Sequence, residues 1–150
     1  MSRITKVFKG GHKALAAYIT AGYPDIQVTP IIAQKVAESG ADIIELGIPF
    51  SDPLADGATI QKASYLALQN GTTPEMCLKA AAAIRREIKT PLGFMTYYNP
   101  VLNYGLDKFC QDCAAAGING LIVPDLPPEE GSELENIAVK HELDMIYMLA

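Results

Sequence analysis

One pattern constrains this chain more than any other. A short apolar run, a loop rich in Pro, Gly and Asp, and a segment of helical period closed by glycine follow one another repeatedly from end to end. The apolar runs read as strands over 14–19, 42–48, 92–98, 120–123 and 145–149. Between them, Thr29-Pro30 and Thr73-Pro74 each supply an N-cap and a proline suited to the first helical position. The first of these helices places Ile31, Ile32 and Val36 on one face and ends at Gly40; the second has Met76, Ala80, Ala83 and Ile84 as its inner stripe. Further helices are expected over 58–70, closed by Gly71, over 106–116, closed by Gly117, and over 128–141. The last carries Glu129 and Glu130 in its first turn and Lys140 and His141 in its last, both favourable to the helix dipole. Asn99-Pro100 ends the third strand.

Residues 38–42 with the following strand and Pro49 resemble residues 115–119 with their strand and Pro124. Repeated βα units of this kind pair their strands in parallel through right-handed crossovers. Near-continuous apolar strands fit a sheet covered on both faces. Two architectures satisfy the pattern. One is a complete flavodoxin-like doubly wound sheet, serving binding or signalling, with strand order 2-1-3-4-5. The other is the opening portion of an eight-fold barrel, ordered 1-2-3-4-5, which needs about 250 residues in full.

Composition removes several classes of function. At 150 residues, 49% hydrophobic and 19% charged, the chain is globular in character and reads as one domain. Seventeen acidic against 12 basic residues give a net charge of -5, which disfavours nucleic acid and acidic lipid. Cys77, Cys110 and Cys113 are too few for a disulfide framework and suit a reduced, cytoplasmic setting. The Cys110/Cys113 pair lies in a predicted helix without a second pair, so helix packing is favoured over metal or redox use. His12 and His141 read as solvated. Arg3, Lys6, Lys9 and Lys13 precede the first apolar run, which reads as a strand behind a small basic helix rather than as a targeting signal.

In either architecture the chemistry belongs at the carboxyl ends of the strands. There Glu45 interrupts an apolar strand, on the face it shares with Ile43 and Gly47 and opposite Ile44, Leu46 and Ile48. Gly47 leaves room beside it. A buried carboxyl must be paired, neutral or functional, and a raised pKa would let it give and take protons near neutrality. The bland alternative is a glutamate that merely reaches water. Asp56, in the loop that follows, is either a second acid–base group or the cap of the next helix, and Asp52 reads as turn chemistry. No GxGxxG, Walker loop or GxSxG occurs.

The unbroken stretch Glu45-Leu46-Gly47-Ile48-Pro49-Phe50-Ser51-Asp52-Pro53-Leu54-Ala55-Asp56-Gly57 resembles the signature of the tryptophan synthase α subunit family. Tyr18-Ile19-Thr20-Ala21-Gly22-Tyr23-Pro24, then Tyr97, Asn99 and Asn103, then Val123-Pro124-Asp125-Leu126-Pro127 extend the likeness in order. The resemblance implies a parallel (β/α)8 TIM barrel, of which residues 1–150 form one incomplete domain holding strands one to five. It implies a lyase of tryptophan biosynthesis that cleaves indole-3-glycerol phosphate to indole and glyceraldehyde 3-phosphate by a retro-aldol step. Glu45 and Asp56 match its catalytic carboxylates, and Tyr18, Met95 and Tyr97 match its indole pocket. Pro49, Asp52, Asn99, Asn103 and Asp125 match loop positions at the contact with a β subunit in an α2β2 heterotetramer. PLP belongs to that partner; no metal or cofactor is implied for this chain. The family's phosphate loops follow strands seven and eight. A five-stranded piece is therefore expected to lack useful activity and to expose sheet edges that invite self-association.

Overall fold

A computed structural model describes residues 2–9, 11 and 13–148. It contains α1 (Arg3–Val7), β1 (Ala16–Thr20), α2 (Thr29–Glu38), β2 (Ile43–Gly47), α3 (Ala58–Gln69) and α4 (Pro74–Glu87). These are followed by β3 (Leu92–Met95), α5 (Tyr98–Tyr104), α6 (Leu106–Ala115), β4 (Gly120–Ile122), α7 (Ser132–Lys140) and β5 (Asp144–Ile146). All five strands are parallel and ordered β1-β2-β3-β4-β5. That order is the barrel's; the flavodoxin-like alternative is excluded.

Helices α2 and α4–α7 pack against one face of the sheet. Ile44 and Leu46 of β2, Leu92 and Phe94 of β3 and Leu121 of β4 share a buried cluster with Ala33 of α2 and with Cys77, Ala81 and Ile84 of α4. Phe109, Cys110 and Cys113 of α6 and Leu134 and Ala138 of α7 complete it. A doubly wound sheet would bury both faces under helices; here the alternate residues of each strand point to an inner face that helices α2–α7 leave uncovered. Strand register lines these inner residues up as Tyr18, Glu45, Gly93, Gly120 and Asp144. At the amino-terminal side, α1 reaches this face through Ile4, whose Cδ1 lies 2.8 Å from where a side chain on Gly120 would begin.

Several local expectations are corrected. Asn99-Pro100 does not simply end strand three: both residues lie in α5, because Tyr98 already begins a helix whose first N–H donates to Asp125 Oδ1 at 2.9 Å. Proline is tolerated in that first turn, where its missing N–H has no partner to lose. Thr29 is not an N-cap; Val28 occupies that position, and buried Thr29 accepts from the Gly22 N–H at 3.0 Å instead. Thr73 does cap α4. Ile31 faces solvent at 58% exposure, so the inner stripe of α2 is carried by Ala33. The last helix starts at Ser132, leaving Glu129 and Glu130 in a turn and placing Glu133 and Glu135 at the dipole's positive end. His141 is not simply solvated: its Nε2 lies 3.0 Å from Asp107 Oδ1, tying α7 to α6. His12 and the end of the fifth expected strand, at residue 149, lie outside the described residues.

Arg85 of α4 secures the amino-terminal ends of the central strands. It donates to the carbonyls of Gly117, Ile88 and Thr90 at 3.1–3.2 Å and to Asn119 Oδ1 at 3.0 Å. The scaffold below the site is thus fixed by a charged donor that satisfies several carbonyls at once.

Candidate active site

Glu45 sits at the centre of β2, half-buried between Ile44 and Leu46, which are sealed on the helix side. Its register neighbours are Tyr18 on β1 and Gly93 on β3, and Gly120 lies one strand further. A carboxylate is therefore set in an inner face where two successive strands contribute no side chain. Burial alone pushes the Glu45 carboxyl above the ordinary glutamate value.

Gly47, one step further toward the mouth, has a different reason to be glycine. A Cβ there would overlap the Tyr18 hydroxyl and lie 2.8 Å from its Cε2. The vacancy beside Glu45 is thus occupied by the Tyr18 phenol, whose oxygen accepts from Thr20 Oγ1 at 3.3 Å. Burial raises the Tyr18 pKa, the Thr20 hydrogen bond opposes that rise, and the fields of Asp56 and Glu45 add to it. The phenol therefore stays protonated between two carboxylates. Thr20 is a member of the site that the sequence did not single out; its place two residues after Tyr18, on the same strand face, was the available signal.

Asp56 lies in the loop from β2 to α3. It is not the cap of α3: Gly57 holds the N-cap position, and no side chain caps the helix. The capping alternative is excluded, and the half-buried carboxyl interacts with the Tyr97 hydroxyl and with Tyr18. Its pKa is raised by burial and drawn back by the Tyr97 hydroxyl. Tyr97 itself is buried, stacks on Phe50 with ring centroids 5.4 Å apart, and accepts from the Ala55 N–H at 2.9 Å. Met95 closes β3 beside Gly47 in register and is half-buried. Tyr18 and Glu45, mid-strand on the inner face, thus lie below Met95 at the carboxyl end of β3 and below Asp56 and Tyr97 in the loops that follow β2 and β3. Two proton-carrying groups of raised pKa beside flat apolar walls suit acid–base chemistry on an aromatic ligand.

The chain belongs to the tryptophan synthase alpha chain family. The family model of that description matches residues 4–150. The chain is 58% identical over 150 residues to the tryptophan synthase alpha chain of Dehalococcoides mccartyi, a match covering all of this chain and 58% of that one. It is 47% identical over 153 residues to the counterpart from Geobacter sulfurreducens, covering 99% of this chain and 58% of the relative. Among solved structures, tryptophan synthase subunit alpha from Legionella pneumophila superposes with a TM-score of 0.96 at 40% identity, over 99% of this chain and 59% of that one. A ligand-free tryptophan synthase from M. tuberculosis gives 0.94 at 41% identity, over 99% and 62%. The chain thus spans about three-fifths of the length of the family members it matches, and its sheet is the first five strands of their barrel.

Of the remaining positions marked by the family resemblance, Asp52, Asn99, Asn103 and Asp125 are exposed, whereas Pro49 is buried. Asp52 accepts from Ser51 Oγ at 2.8 Å, and Asp125 caps α5. The cysteines lie apart from the site and serve packing: burial lifts the Cys77 thiol to about 12 and the Cys110 thiol to about 11, and lifts Cys113 as well. Among the described residues, no group of three or more His, Cys, Asp or Glu could hold a metal ion. Among the described residues, no helix is long and apolar enough to cross a membrane.

Proposed function

We propose that the protein carrying this chain is a lyase of tryptophan biosynthesis that cleaves indole-3-glycerol phosphate to indole and glyceraldehyde 3-phosphate, with Glu45 as the proton carrier. The observation supporting this most directly is the Glu45 carboxyl, held half-buried on the inner face beside two glycines and lifted by that burial toward neutrality. Protonated Glu45 gives its proton to indole C3. The ring becomes cationic, and Asp56, accepting the indole N–H, stabilises that charge. The hydroxyl on the carbon attached to C3 then loses its proton to the Glu45 carboxylate. The O–H electrons form the aldehyde carbonyl, the carbon–carbon bond breaks, and its electron pair restores the aromatic ring. One carboxyl serves as acid and base, which requires a pKa near the working pH. Acid–base chemistry balances the reaction, so no metal or organic cofactor is assigned to this chain.

Asp52, Asn99, Asn103 and Asp125, with Pro49 beneath them, form the rim on which a PLP-dependent β subunit would dock in an α2β2 assembly, in the cytoplasm. The phosphate of the substrate would be held by segments beyond residue 150. The deciding experiment is Glu45→Gln in the full-length protein. Indole release is expected to fall at least about a thousandfold, with β-subunit binding nearly unchanged. Retained cleavage would reject Glu45 as the proton carrier.

A further inference from the structure

The loop at 48–57 poses a mechanical problem. It carries Asp56 over the mouth, yet Ser51, Asp52, Leu54 and Ala55 are all exposed, Leu54 at 90%. Ile48 N–H ties its start to Met95 O of β3 at 2.9 Å, and Gln61 Nε2 of α3 holds the Asp56 carbonyl at 2.8 Å; between them the bonds are short-range turns, Leu54 N–H to Asp52 O at 2.9 Å and Asp56 N–H to Pro53 O at 3.1 Å. Turns of this kind shape a loop but do not fix it to the sheet.

We propose that the Tyr97 hydroxyl is the latch that holds this loop and thereby positions Asp56. The geometry is specific. The Ala55 N–H, immediately before Asp56, donates to Tyr97 Oη at 2.9 Å, joining residues 42 positions apart. The ring of Tyr97 grips the near end of the same loop through its stack with Phe50. Tyr97 is itself immobilised: it is 3% exposed, and the next residue donates its N–H to Asp125 Oδ1 from the loop after β4. A buried, braced phenol accepting from a loop N–H suits positioning, because its geometry is set by packing before any ligand arrives. The same hydroxyl draws the Asp56 pKa down against the rise due to burial.

This inference rests on the lyase reading for the role of Asp56, but the latch can be tested without it. Tyr97→Phe in the full-length protein keeps the pocket wall and removes only the hydroxyl. Amide hydrogen exchange at Ala55 is expected to quicken at least about tenfold, since the hydroxyl that accepts from it is lost. Cleavage efficiency is expected to fall about tenfold, and the acidic limb of its pH profile to move upward as Asp56 loses its stabilising donor. Unchanged Ala55 exchange overturns the latch whatever the activity. Faster exchange with an unmoved pH profile overturns the positioning of Asp56. Should the wild type fail to cleave indole-3-glycerol phosphate, the lyase reading falls while the exchange result still decides the latch. Should Tyr97→Phe not fold, the wild type alone suffices: an Ala55 amide exchanging as fast as an unprotected loop amide overturns the proposal.

Discussion

The two faces of the sheet obey different rules. On the helix side, Ile44, Leu46, Leu92, Phe94 and Leu121 are all 1% exposed or less, and each strand position is filled. On the inner face, the same strands present Tyr18, Glu45, Gly93, Gly120 and Asp144. One face maximises burial of apolar area; the other carries a carboxylate with no side chain beside it at Gly93, while the room at Gly47 and Gly120 is taken by Tyr18 and Ile4. Apolar packing is concentrated on the first and the candidate site on the second, and the period of two along a strand keeps them apart. Residues adjacent in sequence therefore have unrelated tasks.

Substitutions can break this division, and the largest structural effect is expected on the helix side. Phe94→Ala removes a ring that is fully buried against Phe109, with centroids 6.4 Å apart, and should cost about 3–5 kcal/mol in denaturant unfolding. A loss below about 1 kcal/mol would mean that the helix-side core is less tightly packed than its burial indicates. Gly47→Ala tests the inner face. The new methyl must displace the Tyr18 phenol, so stability should fall by about 1–3 kcal/mol. Tyr18→Leu in the same protein should recover part of that loss, because the overlapping atoms are gone; if the double variant is no better than Gly47→Ala alone, Tyr18 is not what Gly47 accommodates.

The smallest effect is electrostatic. Burial raises the Glu45 pKa on folding, so between the unfolded value, near 4.5, and the higher folded value the native state binds more protons than the unfolded state. In that window Glu45 makes stability fall as pH rises, and the penalty is fully present above the folded value. Glu45→Gln carries no charge and should remove this slope. Unfolding midpoints of wild type and variant, compared at pH 4 and pH 7, should show the variant gaining relative stability at pH 7. A difference that does not change with pH would mean that the carboxyl is not desolvated by the fold.

Much of this was legible in the chain. The strand–loop–helix alternation placed all five strands to within a few residues, because apolar period and Gly/Pro punctuation report local burial directly. Glu45 stood out because a carboxylate inside an apolar strand has few bland explanations. Other features were less accessible. Helix α5 was hidden because Asn99-Pro100 signals the end of a strand as well as the first turn of a helix, and only the cap supplied by Asp125, 27 residues after Tyr98, decides between them. Asp56 looked like a helix cap, and only the observed N-cap at Gly57 removes that reading.

By itself, the sequence determined the βα period, the carboxylate interrupting an apolar strand and, through an unbroken run from Glu45 to Gly57, the family. These are properties of neighbouring residues, which periodicity and local chemistry can express. Strand order, the single helix-covered face, the Tyr18 phenol seated over Gly47 and the bond from Ala55 to Tyr97 were decided only by the tertiary structure. Each depends on segments far apart in the chain arriving at the same place, and no local preference encodes which strand becomes whose neighbour.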